Sequence, residues 1–200
     1  MAPSPHAPLH VAILGIRGVP AAHGGFESFA ERLAPFLVQA GWKVTVYCQE
    51  DGTGPVFEDT WQGVERVRIP VSQEGPKGTI VFDWQATAHA AKHNDLCLTL
   101  GYNTAIFNAV LRLKGVPNIF NMDGIEWSRA RWGKARQAIL WTNERIACVV
   151  GDHLIADHPS IERYLSTRAR ASPTAWRRST RPRSAWARRS SRSIRCRPWS

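Results

Sequence analysis

A glycine-rich turn follows the first apolar run of this 200-residue chain and leads directly into a helical pattern. The run LHVAILGI precedes GVPAAHGGFESFAERLA, residues 18 to 34, which contains the glycine pair Gly24 and Gly25. Where a buried strand leads into a helix, free backbone N–H groups and the positive end of the helix dipole attract anions. The same glycines equally suit a sharp turn with close packing. The residues alone leave an anion site and a structural turn equally open.

Acidic, amide and aromatic side chains follow two further apolar runs. The segment NMDGIEW, residues 121 to 127, follows a predicted strand, and GYNTA, residues 101 to 105, follows another. Ligands of open α/β folds gather at the carboxyl ends of the strands, so both segments are candidates to line a site. His153 and His158 are five residues apart with no third ligand evident, so no metal site is predicted.

The elements that position these residues are predicted from short apolar runs that alternate with amphipathic segments. This alternation is typical of β–α units around a parallel sheet, so we predict an α/β fold with a Rossmann-like parallel sheet and helices on both faces. A helix is expected to start after Gly25 and to stop at Gly41, with a kink or early break at Pro35. Strands are predicted at 9–15, 43–48, 64–71, 95–100, 117–121 and 153–156, and further helices at 79–92, 103–113, 134–150 and 159–166.

The net charge of +10 comes from the end of the chain. Residues 167–200 contain eleven arginines, no lysine and no acidic residue, so residues 1–166 hold the other 15 basic residues and all 16 acidic ones. Such a segment cannot bury a core, and we expect disorder there. Arg with Ala, Pro, Ser and Trp but no Lys is what GC-rich codons give in a wrong frame. A frameshifted tail is therefore favoured over an RNA-binding one, and the predicted domains are a flexible 1–8, a folded 9–166 and this tail.

The cysteines and the N-terminus indicate a reducing compartment. Four cysteines form no CxxC motif, and the first three lie in apolar runs, as reduced core thiols do. No signal peptide or membrane span is evident, so a cytoplasmic protein is predicted. SRARWGKAR, residues 128 to 136, carries four cations and no acid, which suits a solvated helix face or contact with an anionic membrane surface.

A nicotinamide-binding oxidoreductase is a rival interpretation, and the glycine spacing disfavours it. The glycines at 15, 18, 24 and 25 do not form G-x-G-x-x-G. The acidic residue that such a fold places at the end of the second strand is offered only by Glu50 or Asp51. No cofactor is predicted.

Three segments carry a resemblance to a known family. HVAILGIRGVPAAHGGFESFAERLAPFLVQAGWKVTVYC, FNMDGIEWSRARWGKARQAILWTNERIA and DHLIADHPSIERYL resemble family-4 glycosyltransferases, specifically the bacterial rhamnosyltransferase-like subgroup, over residues 9 to 166. The resemblance implies a GT-B enzyme with two Rossmann-like domains facing a cleft and retaining, metal-independent chemistry. A nucleotide sugar would then be a substrate rather than a cofactor.

The resemblance also implies roles for the candidate residues. Gly24 and Gly25 would approach the donor diphosphate with help from Arg17, unless Arg17 only forms a surface ion pair. Asp123, where many relatives carry a histidine before the glycine, would orient or deprotonate the acceptor hydroxyl, with a helix cap as the alternative. The acceptor-binding candidates, which structural capping or packing could equally explain, are Glu27, Tyr102, Asn103, Gly124, Glu126 and Trp127.

Members of this family hold the donor with an E-x7-E signature in a second domain. No acidic residue follows Glu162, so the chain is expected to be the acceptor-side half and inactive alone. The intact enzyme would act on cell-surface polysaccharide or a lipid-linked acceptor, and rhamnose is suggested only by the subgroup.

Overall fold

A computed structural model describes residues 9–22, 24–73, 75–93, 96–122 and 124–169. The predicted flexible N-terminus, 1–8, and all but the first three residues of the predicted tail lie outside these ranges. The catalytic candidate Asp123 also lies outside them.

The described residues form a seven-stranded sheet with helices on both faces, which confirms the predicted fold class. The strands are β1 (His10–Leu14), β2 (Lys43–Asp51), β3 (Phe57–Trp61), β4 (Val64–Val71), β5 (Leu96–Leu100), β6 (Asn118–Met122) and β7 (His153–Ala156). The helices are α1 (Gly25–Gln39), α2 (Gly75–His93), α3 (Ala109–Lys114), α4 (Lys134–Val150) and α5 (Pro159–Ala169), with short 3-10 turns at Ala105–Asn108 and Glu126–Ser128. The order across the sheet is β3-β4-β2-β1-β5-β6-β7, and every pairing is parallel except β3 with β4.

The sequence prediction missed the strand β3, which forms an antiparallel hairpin with β4. Its burial is partial, so the segment FEDTW lacks the apolar run by which the other strands were recognised. The connecting residues Gln62 and Gly63 have φ of 50° and 79°, as a two-residue hairpin turn of mirror-image type requires. Arg66 of β4 donates two hydrogen bonds to the carboxylate of Asp59 on β3, from Nε to Oδ1 at 2.7 Å and from Nη2 to Oδ2 at 2.6 Å.

The central strand β1 is apolar on both faces because helices cover both sides of the sheet. Val11 and Ile13 belong to the core under α1, whereas Ala12 and Leu14 belong to the core under α2. A third cluster, under α4 and α5, is built around Phe120.

The helix α1 does not end at Pro35, so the predicted early break is wrong. Proline removes one backbone hydrogen bond, while Ala30 and Ala34 are completely buried on the sheet and hold the helix in place. The helix stops just before Gly41, whose φ of +88° suits a glycine. At the far end of the chain, α5 extends three residues past the predicted boundary at 166.

Candidate functional site

The three sequence-predicted segments meet at one edge of the sheet. β1, β5 and β6 are adjacent and parallel, so their carboxyl ends lie side by side. The glycine turn follows β1, the GYNTA segment follows β5, and the NMDGIEW segment spans the end of β6. The topology therefore places the turn, Tyr102 and Glu126 on the same edge, as the sequence predicted.

Gly24 and Gly25 are not required by the packing of the described residues. Gly24 is the extended N-cap of α1, with φ of −164°, and Gly25 does not have a positive φ. A Cβ atom at either position would meet nothing within 4 Å. By contrast, Gly15 has φ of +84°, and a Cβ there would lie 2.3 Å from the carbonyl oxygen of Leu100. Among the described residues, close packing therefore explains the glycine at 15 but not the pair Gly24 and Gly25.

A shallow cavity of about 220 Å³ borders this open turn and includes Arg17, Phe26 and Asp83 in its lining. Burial raises the pKa of Asp83 to about 6, although the hydroxyl of Thr104 donates a hydrogen bond of 2.7 Å to its carboxylate and opposes the shift. Sequence reasoning missed Asp83 because it lies inside a predicted helix, with no motif around it.

Glu27 is buried and fixes the loop that precedes its own helix. One carboxylate oxygen accepts a hydrogen bond from the backbone N–H of Ala22 at 3.1 Å, and the other accepts one from Arg17 N–H at 3.4 Å. These two hydrogen bonds brace the loop between β1 and α1. An acceptor hydroxyl at Glu27 would compete with these two N–H groups.

Arg17 is exposed and lines both this cavity and a larger neighbouring one. Within the described ranges its side chain has no ion pair, so the surface ion-pair alternative is not found there. The cation is therefore positioned at the mouth of the glycine turn without a carboxylate partner among these residues.

The larger cavity, of about 290 Å³, lies between the loop after β1 and the carboxyl ends of β2 and β4. It is polar, and sequence reasoning missed two of its residues, Gln49 and Arg68. The Oε1 atom of Gln49 is buried without a hydrogen-bond partner among the described residues. Arg68 forms an ion pair with Glu50. A dinucleotide-binding interpretation would need the Glu50 carboxylate to bind ribose, and this carboxylate already has a partner. The sequence did hold one sign of this polar cavity: the apolar strand β2 ends in the polar residues QED.

Tyr102 is only 2% exposed and joins the segment after β5 to the loop after β6. Its hydroxyl donates to the carbonyl oxygen of Gly124 at 3.0 Å and accepts from the backbone N–H of Glu126 at 2.8 Å. The expectation that Tyr102 faces the cleft is corrected, because its side chain is buried and holds the neighbouring loop in position. Asn103, one residue on, is exposed at the same edge.

Glu126 is a buried carboxylate surrounded by three donors. Arg129 Nε lies 2.8 Å from its Oε2, and Arg131 Nη2 lies 2.6 Å from its Oε1. The indole N–H of Trp132 donates to Oε1 at 3.0 Å. The side chain is therefore saturated by the segment that follows it, which gives the loop after β6 a fixed shape.

The indole of Trp127 points into the protein at its polar end. Its Nε1 donates to Glu144 Oε2 at 2.8 Å, and the Tyr164 hydroxyl donates to Glu144 Oε1 at 2.8 Å. Arg168 completes the cluster with its Nε 3.5 Å from Glu144 and its guanidinium 4.1 Å from the Tyr164 ring. Burial and the adjacent Glu144 carboxylate raise the pKa of Tyr164 to about 12. Glu144, Tyr164 and Arg168 had no sequence signal, since they lie far along the chain, the first on α4 and the other two on α5.

In the sequence, Asp123 stands between Met122, which is buried, and Gly124, whose carbonyl is bound by Tyr102.

Over the described ranges, no group of three or more His, Cys, Asp and Glu side chains is arranged to hold a metal ion. Nor does any helix in those ranges have the length and apolar character needed to cross a bilayer.

Three solved structures illustrate the proteins to which this architecture is similar. Sucrose-phosphate synthase from Thermosynechococcus elongatus matches with a TM-score of 0.62 at 21% identity, over 80% of this chain and 45% of that chain. A trehalose-6-phosphate structure from E. coli bound with UDP-2-fluoro glucose gives 0.50 at 13%, over 81% and 42%. The α,α-trehalose 6-phosphate synthase from Burkholderia multivorans gives 0.51 at 9%, over 80% and 42%. The described residues thus form the Rossmann-like half of a GT-B fold.

The chain spans less than half the length of these solved structures. No curated protein matches it. The chain belongs to the family described as Domain of unknown function (DUF1972), whose model matches residues 9–177. That match extends eleven residues beyond the predicted domain boundary at 166.

Proposed function

We propose that this domain is the acceptor-side half of a retaining, metal-independent glycosyltransferase that moves a sugar from a nucleotide sugar to a cell-surface polysaccharide or lipid-linked acceptor. The observation that carries the proposal is the open Gly24-Gly25 turn at the N-terminus of α1, next to Arg17, within a GT-B half. The retaining chemistry and the choice of rhamnose are supported only by the sequence resemblance to the rhamnosyltransferase-like subgroup.

The glycine turn suits a diphosphate because both residues leave space for its oxygens next to backbone N–H groups. The positive end of the helix dipole stabilises negative charge at that place, and so does the Arg17 cation, which has no ion pair among the described residues. We propose that this charge is the diphosphate of the donor, and that the turn stabilises the leaving nucleotide as the glycosidic bond to it breaks.

On the acceptor side, we propose Asp123 as the residue that orients or deprotonates the acceptor hydroxyl. The hydrogen bonds of Tyr102 to Gly124 and Glu126 fix the residues that follow Asp123 in the chain. Asn103, Gly124, Glu126 and Trp127 are proposed to line the acceptor side, and Glu27 to brace the phosphate turn.

The donor would be held by a second domain that faces this edge, so we propose that the 200-residue chain alone does not transfer sugar. The proposed partners are the nucleotide sugar, the acceptor and the inner face of a membrane, where a lipid-linked acceptor lies. A cytoplasmic location follows from the same proposal.

The first experiment is to read the coding DNA from about codon 160 in all three frames and to express any form that continues into a domain with E-x7-E. That form is then assayed with radiolabelled UDP-, GDP- and dTDP-sugars and membrane extract. We expect transfer by the extended form and none by the 200-residue chain.

Two variants of the extended form test the site. Arg17→Gln is expected to reduce transfer at least about tenfold, because a lost charge-assisted contact to phosphate costs roughly 1.5–3 kcal/mol. Gly25→Ala is expected to reduce transfer as well, because its Cβ fills the space proposed for the phosphate oxygens. Arg32→Gln, an exposed arginine on the same helix, is the matched control and leaves transfer unchanged. A folded extended form that transfers none of the sugars would overturn the proposal, and transfer by the short chain would overturn its inactivity.

A further inference from the structure

Two histidines lie on one face of α2, one helical turn apart. His89 and His93 belong to the segment HAAKH, and their i, i+4 spacing is the one with which two histidines of a helix bind a single zinc ion. Their rings are stacked, with 4.4 Å between centroids and 28° between planes. His89 is half-buried and His93 is exposed. The two imidazoles are therefore already side by side at the protein surface.

The orientation of the inner histidine is held by a buried tyrosine. The Nδ1 atom of His89 lies 2.9 Å from the hydroxyl oxygen of Tyr47 on β2, and Tyr47 is only 1% exposed. The two rings also meet edge-on, with 5.6 Å between centroids. A histidine that binds a metal through one ring nitrogen typically donates the hydrogen of the other nitrogen to a neighbouring oxygen. With the Tyr47 oxygen at Nδ1, the nitrogen of His89 that remains for a metal is Nε2.

The separation of the two rings suits a shared ion. Nitrogen–metal distances of about 2.0–2.1 Å at adjacent coordination positions place the centroids of two imidazoles roughly 4.5–5 Å apart. The exposed His93 ring has a broad χ2 torsion, so it turns toward the ion without movement of the helix backbone.

The chemistry of the pair selects a class of metal. Glu58 on β3 attracts a cation to His89, and Lys92 on α2 repels it, so charge alone does not hold an ion there. Imidazole nitrogens favour nickel, copper and zinc over magnesium and calcium. Residue 90, where the HExxH pattern of metalloproteases has its catalytic glutamate, is alanine. The ion would accordingly be structural rather than hydrolytic.

This pair lies away from the candidate functional site. The helix α2 ends at His93, three residues before β5 begins, so the histidines lie where the parallel strands start. The glycine turn and the GYNTA segment follow the other ends of their strands. An ion bound by the pair would stabilise the last turns of α2 against β2 and would not touch the sugar-transfer site.

We infer that His89 and His93 bind one divalent transition-metal ion of the nickel, copper and zinc class through their imidazole nitrogens, with Tyr47 positioning His89. Water completes the coordination, because the described ranges hold no group of three or more side chains arranged for a metal. The inference does not depend on the proposed function. It is tested without any sugar, so its failure and the failure of sugar transfer are separate results.

The test is isothermal titration of the full 200-residue chain with nickel chloride and with zinc chloride at about pH 8, where imidazoles are neutral. The double variant His89→Gln, His93→Gln is compared with His153→Gln, His158→Gln, which removes two exposed histidines five residues apart. The first variant is expected to lose affinity tenfold or more, and the second to bind as the parent does. If the first variant does not fold, His93→Gln alone, at an exposed position, replaces it.

Two further measurements separate a built site from accidental binding. Tyr47→Phe keeps the ring and removes the oxygen at His89 Nδ1, so it is expected to weaken metal binding about tenfold. Zinc is expected to raise the thermal midpoint of the parent and not that of the His89→Gln, His93→Gln variant, because the ion binds the folded chain. Circular dichroism identifies any variant that has lost its fold.

Three results would count against the site. Absence of binding, or equal loss of affinity in the two double variants, would assign any bound ion to other groups of the chain and overturn the inference. A folded Tyr47→Phe variant that binds as tightly as the parent would overturn the positioning role of Tyr47.

Discussion

The indole nitrogen of Trp127 lies 2.8 Å from the Glu144 carboxylate, which joins the loop after β6 to the middle of α4. Glu144 is also bound by Tyr164 of α5, so one buried carboxylate connects three segments. Charge-assisted hydrogen bonds of this kind are stronger than neutral ones. The position of Trp127 at the candidate site therefore depends on α4 and α5.

Glu144→Leu is expected to destabilise the domain by about 3 kcal/mol, because the Trp127 N–H and the Tyr164 O–H lose their shared acceptor in a buried place. Urea unfolding followed by circular dichroism measures the change. Glu162→Gln, an exposed acid on α5, is the control and stays within about 0.5 kcal/mol of the parent. A Glu144→Leu variant as stable as the control would show that the network adds nothing to stability.

Arg168→Ala is expected to lower the free energy of unfolding by about 1–2 kcal/mol, since it removes an ion pair to buried Glu144 and stacking on Tyr164. Arg163→Ala, on the exposed side of the same helix, is the comparison and is expected to be nearly neutral. The same unfolding measurement distinguishes them. Equal stability of the two variants would show that the contacts of Arg168 do not stabilise the folded domain.

Asp83→Asn is expected to change how stability depends on pH. The folded chain holds the Asp83 proton up to a pKa of about 6, whereas the unfolded chain releases it near 3.8. The contribution of the Asp83 carboxyl to the free energy of unfolding of the parent is fully present below pH 4 and is lost as the pH rises through 6. The thermal midpoint of the variant, measured from pH 4 to 8, should therefore rise relative to that of the parent between pH 4 and about 6 and keep a constant difference above that.

Asp157→Asn removes an exposed carboxylate and serves as the reference for the pH series. Its thermal midpoint is expected to follow the parent at every pH. If Asp83→Asn also follows the parent, the carboxyl of Asp83 titrates alike in both states.

Gly15→Ala and Gly25→Ala are expected to act in opposite directions on stability. A Cβ at Gly15 meets the Leu100 carbonyl oxygen at a positive φ, so unfolding becomes easier by about 3 kcal/mol. At Gly25 the space is open and the residue is helical, so alanine is neutral or stabilises by up to about 1 kcal/mol. Thermal unfolding measures both. A destabilised Gly25→Ala would contradict the view that the turn is free of internal packing.

The fold was predictable where burial is continuous and less so where it is partial. Apolar runs around Ile13 and Leu98 identified strands because both faces of the sheet are covered. The hairpin strand at Phe57–Trp61 was missed because its outer position leaves it half polar. The turn Gln62-Gly63 was the one local sign of it.

The site was predictable as a location but not as a set of contacts. Strand order brings the segments at Gly24, Tyr102 and Glu126 to one edge, and the alternation of strands and helices implies this. The partners of those residues are long-range: Glu144 and Tyr164 reach Trp127 from 17 and 37 residues away. No spacing within one segment encodes such a contact.

The hairpin of β3 with β4 also determines how this sheet meets other chains. The outermost strand of a sheet is a template for strand addition by another chain. In this sheet β3 is such an edge strand beside β4, and its five residues include Glu58 and Asp59. Arg66 and Arg68 of β4 bind Asp59 and hold the edge strand against its neighbour. A second copy that approached from this side would meet a five-residue strand with two carboxylates, which disfavours addition of a further strand.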